Sequence, residues 1–181
     1  MDLLYEADWR SMRTSTAVLH GLTKQALCHD SEEMRWALNH GGQIDEEALE
    51  AIAWSSGASA GAVSVLIERQ GLNLFVGTRF LRGAARYGEV DVVRVLLDAG
   101  ADPNEYISSQ AWDRGESPTL ALLDAILMKK TEVVKLLLER GASVDGQVFG
   151  RSGGALGMAE RGGDDTIVRL LKDAVDAKGK M

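Results

Sequence analysis

Two stretches of this chain are copies of one another, and a chain that repeats a unit of about 30 residues folds by stacking units side by side instead of closing one core. One copy runs from Leu81 through Gly83-Ala84-Ala85-Arg86-Tyr87-Gly88-Glu89-Val90 to Gly100-Ala101-Asp102-Pro103-Asn104. The other runs from Leu122 through Asp124-Ala125-Ile126 and Thr131-Glu132 to Gly141-Ala142-Ser143-Val144-Asp145. Both read Leu-x-x-Ala, a turn, Val-Val-x-x-Leu-Leu, then Gly-Ala-x-(Pro/Val)-(Asn/Asp). In the second half of each copy, Val92, Val93, Leu96 and Leu97, and likewise Val133, Val134, Leu137 and Leu138, form pairs four residues apart. That spacing gives one apolar stripe on a helix. Helices this short do not hold in water alone, so the stripe has to be covered by neighbouring units.

These segments resemble ankyrin repeats. Three further units carry parts of the pattern: Leu22 to Asp45, Leu49 to Leu74, and Leu156 onward through Ile167-Val168-Arg169-Leu170-Leu171. The resemblance implies an all-α solenoid of about five helix-turn-helix units with hairpin-like loops. It forms a single domain over residues 1–175, with units at about 16–45, 46–74, 75–104, 117–145 and 149–175 and a frayed tail over 176–181. No unit has the Thr-Pro-Leu-His opening of the family, and Arg82 and Leu123 stand where its histidine would be. That departure removes the histidine's hydrogen bonds from the stacking.

Element ends are marked consistently. Gly41, Gly71, Gly100 and Gly141 follow the second helices, as left-handed closing residues do. Glu32, Glu33, Asp91, Glu132, Asp164 and Asp165 suit helix N-termini, where the dipole favours negative charge, and Thr131 is a candidate cap. Ala84 and Ala125 are 41 residues apart, against a family period of 33, so about eight extra residues form an inserted loop over 105–116. The insertion contains Tyr106, Ile107, Trp112 and Arg114.

In the family, partners meet the hairpins and the last turn of each first helix. By resemblance the binding set here is Phe75, Val76, Thr78, Arg82, Arg86, Tyr87, Leu127 and Met128, joined by Tyr106, Trp112 and Arg114 of the insertion. Its centre is apolar and aromatic, the composition that marks interfaces. Arg79, Arg82 and Arg86 share one helix face. They either meet an acidic partner or form a solvated row.

Composition narrows the classes. The formal net charge is −7, which opposes binding to nucleic acid, where clustered Lys and Arg must displace counterions. Cys28 is the one cysteine, so neither an internal disulfide nor a four-thiolate zinc site can form. The acidic N-terminus lacks the basic start and apolar run of a secretory signal, and no stretch reaches the ~20 apolar residues of a membrane span. The expected location is cytoplasmic or nuclear. His20, His29 and His40 show no clustered ligand pattern, Gly150-Arg151-Ser152-Gly153-Gly154 lacks the lysine of a phosphate loop, and no nucleophile motif is present. The expectation is therefore a protein-binding module, a monomer or weak dimer, with no cofactor and no metal. The alternative is a scaffold that binds or transforms a small apolar molecule. Its pocket would lie under the 105–116 loop, lined by Phe75, Tyr87, Leu127 and Met128, with Arg86, Asp113 or Glu116 as its polar group.

Overall fold

The computed structural model describes residues 16–53, 56–105, 120–144 and 154–178. Among them are ten α-helices, one 3-10 turn at Leu72–Leu74 and no strand. The helices come in consecutive pairs: α1 (Thr16–Cys28) with α2 (Ser31–Asn39), then α3 (Glu46–Ala53) with α4 (Ala60–Gln70). Next come α5 (Phe80–Tyr87) with α6 (Val90–Asp98), α7 (Ala121–Leu127) with α8 (Thr131–Glu139), and α9 (Gly154–Gly162) with α10 (Asp165–Lys178). The chain is an all-α helical-repeat protein.

Two rows of helices make the slab. Second helices pack in chain order, α2 on α4, α4 on α6, α6 on α8 and α8 on α10. First helices form a parallel row, α3 on α5, α5 on α7 and α7 on α9, while α1 packs on α2 and α4. Each step closes one apolar stripe over the next. Val92, Val93, Leu96 and Leu97 are buried in α6, and Val133, Val134, Leu136 and Leu137 in α8. Leu136 is thus more buried than Leu138, whose side chain only leans on the core. The core is one continuous cluster from Ala26 to Leu171.

The central first helices, α5 and α7, are covered on every side along most of their length. Six consecutive residues are buried in α5, Phe80 to Ala85, and six in α7, Ala121 to Ile126. Successive residues on a helix point 100° apart, so six in a row leave no face open. Close approach is achieved by small residues. A Cβ added at Gly83 of α5 would lie 1.8 Å from the Ala53 carbonyl oxygen of α3.

Ends of helices follow the sequence signals with two exceptions. Asp30 Oδ1 accepts from the N–H groups of Glu32 (2.8 Å) and Glu33 (2.9 Å), and Asp164 Oδ1 from Thr166 and Ile167, both at 3.1 Å. Gly41, Gly71, Gly100 and Gly141 all carry positive φ, between 85° and 99°. Thr131, expected as a cap, is instead the first helical residue of α8. Lys130 holds the cap position and makes no side-chain cap bond. The last helix continues through Lys178, so residues 176–178, expected in a frayed tail, are helical.

Candidate functional site

The arginine row of α5 has a purpose that its spacing does not reveal. Arg79 donates its backbone N–H to Glu50 Oε1 at 2.8 Å, and its Nε lies 3.7 Å from Glu50 Oε2. Glu50, from α3, therefore sits on the positive N-terminus of α5 and pairs with a buried guanidinium there. One turn later Arg82 donates from Nε to Asp124 Oδ2 of α7 at 2.9 Å. Arg86 Nη1 reaches Asp124 Oδ1 at 3.5 Å. The side chains of Arg82 and Asp124 are 7% and 5% exposed. The row is neither a solvated face nor, at Arg79 and Arg82, an open partner surface. It ties α5 to the first helix on either side of it. Arg82, at the position where the resemblance would place a histidine, supplies a charged link between successive units.

The loops are tied in the same way. Asn104 receives the Ser143 N–H on Oδ1 at 2.7 Å and donates from Nδ2 to the Gly141 carbonyl at 3.1 Å, joining the ends of two successive units. Glu89 accepts the Gly57 N–H and Glu105 accepts the Gly77 N–H. Arg140 pairs with Asp98 across the second-helix row.

Of the predicted binding set, three residues turn inward. Phe75 is 5% exposed and meets Phe80 edge-on, ring centroids 5.2 Å apart. Thr78 is buried because it caps locally: its hydroxyl donates to the Phe75 carbonyl at 2.7 Å and its oxygen accepts the Phe80 N–H at 3.3 Å. Arg82 is held by Asp124. These three are corrections to the expected surface, and in each case a specific partner supplies the reason: nearby Phe80 for Phe75 and Thr78, and Asp124 of the next unit for Arg82. Val76 (58%), Tyr87 (36%) and Leu127 (51%) are exposed, and Arg86 and Met128 are partly so. Tyr87 and Leu127 stand at the C-terminal ends of α5 and α7, which pack side by side. The turn after Tyr87 passes through Gly88 in the left-handed region (φ 84°), and the equivalent turn after Met128 passes through Lys129 at φ 55°. Tyr106, Trp112 and Arg114 lie outside the described residues.

A depression of about 300 Å³ opens where the chain enters and leaves the third unit. Leu72, Phe75, Leu81 and Leu96 form its apolar part, Val76 its lip, and Asp102 and Glu105 its charged rim. Tyr87, Leu127 and Met128 do not line it, and all but the first residue of the 105–116 loop, under which the sequence suggested a small-molecule pocket, lie outside the described residues.

Residues 81–106, covering α5, α6 and the loop that follows, match the family model described as Ankyrin repeat. That segment is similar to an ankyrin repeat. The matched segment is the one that holds the Arg82 link, and its α6 packs against the second helices before and after it. No curated protein matches the chain.

No metal-binding group of three or more His, Cys, Asp or Glu occurs among the described residues, and none of the described helices is long and apolar enough to cross a membrane. Cys28, at the end of α1, is exposed, yet partial desolvation first and the negative charge of Glu89 second hold its thiol above the ordinary range. His29 pairs with Glu33 at 3.3 Å and His40 Nδ1 lies 2.7 Å from the Trp36 carbonyl oxygen. Sequence reading missed Glu50, Asp124 and Gly83. The usable signal was positional: Asp124 lies 42 residues after Arg82, one unit further along the same row of helices.

Proposed function

We propose that the chain is a protein-protein interaction module. Its partner polypeptide is met by the exposed apolar residues at the ends of the first helices and by the inserted loop over 105–116. The observation that carries this reading is the distribution of exposed apolar side chains. Four large hydrophobic residues are exposed among the described residues, Val76, Tyr87, Leu127 and Val175, and the first three belong to the set expected to bind. Exposed apolar groups on an otherwise well-packed solenoid mark contact surfaces. Ankyrin repeats generally bind other proteins, and the match at 81–106 brings that habit to this chain. Arg86, one-third exposed beside Tyr87, adds the residue type that interfaces favour for planar hydrogen bonding.

The test compares affinity capture by the wild-type chain with capture by the Tyr87→Ala/Leu127→Ala variant and by Trp112→Ala. Circular dichroism first establishes that each variant is folded. A partner held by the wild-type chain and lost by the double variant supports the reading. Retention of every partner by both variants defeats it.

A further inference from the structure

We infer that the depression beside Val76 is an anchor pocket for one apolar side chain of a partner peptide whose adjacent residue is Lys or Arg. The inference rests on the protein-binding reading above and goes further by naming the chemistry of the partner.

The depression is built for a protruding side chain. Its apolar lining comes from Leu72 and Phe75 of the link before α5, Leu81 of α5 and Leu96 of α6, and its volume of about 300 Å³ lies at the bottom of the range of small-molecule sites. Val76, 58% exposed, extends the apolar surface at the lip. An apolar residue that enters this space loses its water without displacing any polar partner, which is what makes buried anchors strong.

The rim adds a sign. Among the described residues, Asp102 and Glu105 are the charged residues of the lining, and both are acidic. One Asp102 oxygen holds the Asn104 N–H at 2.8 Å, and one Glu105 oxygen holds the Gly77 N–H across the depression. These bonds fix both carboxylates before any partner arrives, so little ordering is needed on binding. An acidic rim on a chain of net charge −7 attracts a basic residue and repels an acidic one. Apolar floor and acidic rim together select a neighbouring apolar–basic pair.

Fluorescence anisotropy with labelled peptides decides the matter. The probes are a Gly/Ser-flanked peptide with Leu-Arg at its centre and its Ser-Arg, Leu-Gln and Leu-Glu counterparts. The Leu-Arg peptide is expected to bind about tenfold more tightly than each of the others, with the margin over Leu-Gln shrinking as salt rises. Val76→Asp is expected to weaken Leu-Arg binding, and Asp102→Asn/Glu105→Gln, which keeps both backbone bonds, to abolish the preference for Arg. Equal binding of the Leu-Arg and Leu-Glu peptides, or no binding up to about 1 mM, overturns the inference. The two readings separate cleanly. A partner lost by Tyr87→Ala/Leu127→Ala but indifferent to the rim variants leaves the surface and discards the anchor. An intact Leu-Arg preference in a chain whose double variant keeps every partner does the reverse.

Discussion

Arg82 of α5 donates to Asp124 of α7 across 2.9 Å, and the two residues belong to successive helical units with almost none of either side chain in water. Removing one member of such a pair strands the other charge, which costs far more than the pair itself is worth.

Asp124→Ala is therefore expected to lower stability by about 3–5 kcal/mol, read as a shift in the urea midpoint. The double change Arg82→Met/Asp124→Leu is expected to recover most of the loss, because it removes both charges and keeps the volume. If Asp124→Ala costs less than about 1 kcal/mol, the pair is a surface-type contact and its burial contributes little.

Gly83 has no room for a side chain, since its Cβ would lie 1.8 Å from the Ala53 carbonyl oxygen. Backbone atoms cannot swing aside as a side chain can. Gly83→Ala is expected to destabilise by about 3 kcal/mol through overpacking, even though alanine is the better helix former. Gly21, in α1 with nothing near its missing Cβ, supplies the contrast. Gly21→Ala is expected to stabilise by about 0.5–1 kcal/mol. Thermal melts of the two variants moving in the same direction would sink this account of the α3–α5 contact.

Lys129 takes the left-handed conformation at φ 55° that Gly88 takes in the matched repeat. A residue with a Cβ is strained there by about 1 kcal/mol. Lys129→Gly is expected to raise stability by about 0.5 kcal/mol, the strain relief being partly offset by the greater freedom of glycine in the unfolded chain. A fall in the urea midpoint would contradict it.

Burial and Glu89 both disfavour the Cys28 thiolate. Because the thiolate is the reactive form, alkylation by iodoacetamide is expected to be slower than for free glutathione at pH 8, with its pH profile displaced upward. Glu89→Gln, which leaves an acceptor for the Gly57 N–H, is expected to move the profile only part of the way down, since burial is the larger cause. A Cys28 rate matching that of glutathione would show the thiol to be unperturbed.

Much of the fold was legible because repetition writes the same apolar stripe at the same place. Val92, Val93, Leu96 and Leu97 predict their own burial, and glycine after each second helix predicts the left-handed close. Long-range polar pairing was not legible. Arg79, Arg82 and Arg86 have the spacing of a solvated row, and nothing local says that Glu50 lies before one end and Asp124 beyond the other. The inward turn of Phe75 and Thr78 was hidden for a related reason, since both belong to a link whose path depends on Phe80 and on the helix that link introduces. Val76, in the link before α5, and Tyr87 and Leu127, at the ends of short helices, are exposed because links and helix ends offer little cover.

The link from Arg82 to Asp124 also limits how freely the chain can be edited. Repeats joined only by apolar stripes can be cut out, duplicated or shuffled, since any stripe accepts any other. Here the third unit carries cations whose counter-ions are encoded in the units on either side, Glu50 upstream and Asp124 downstream, so grafting or deleting it alone strands buried charge on both sides. Evolution by slippage of single repeats is closed at this seam, and a designer trimming the array has to cut elsewhere.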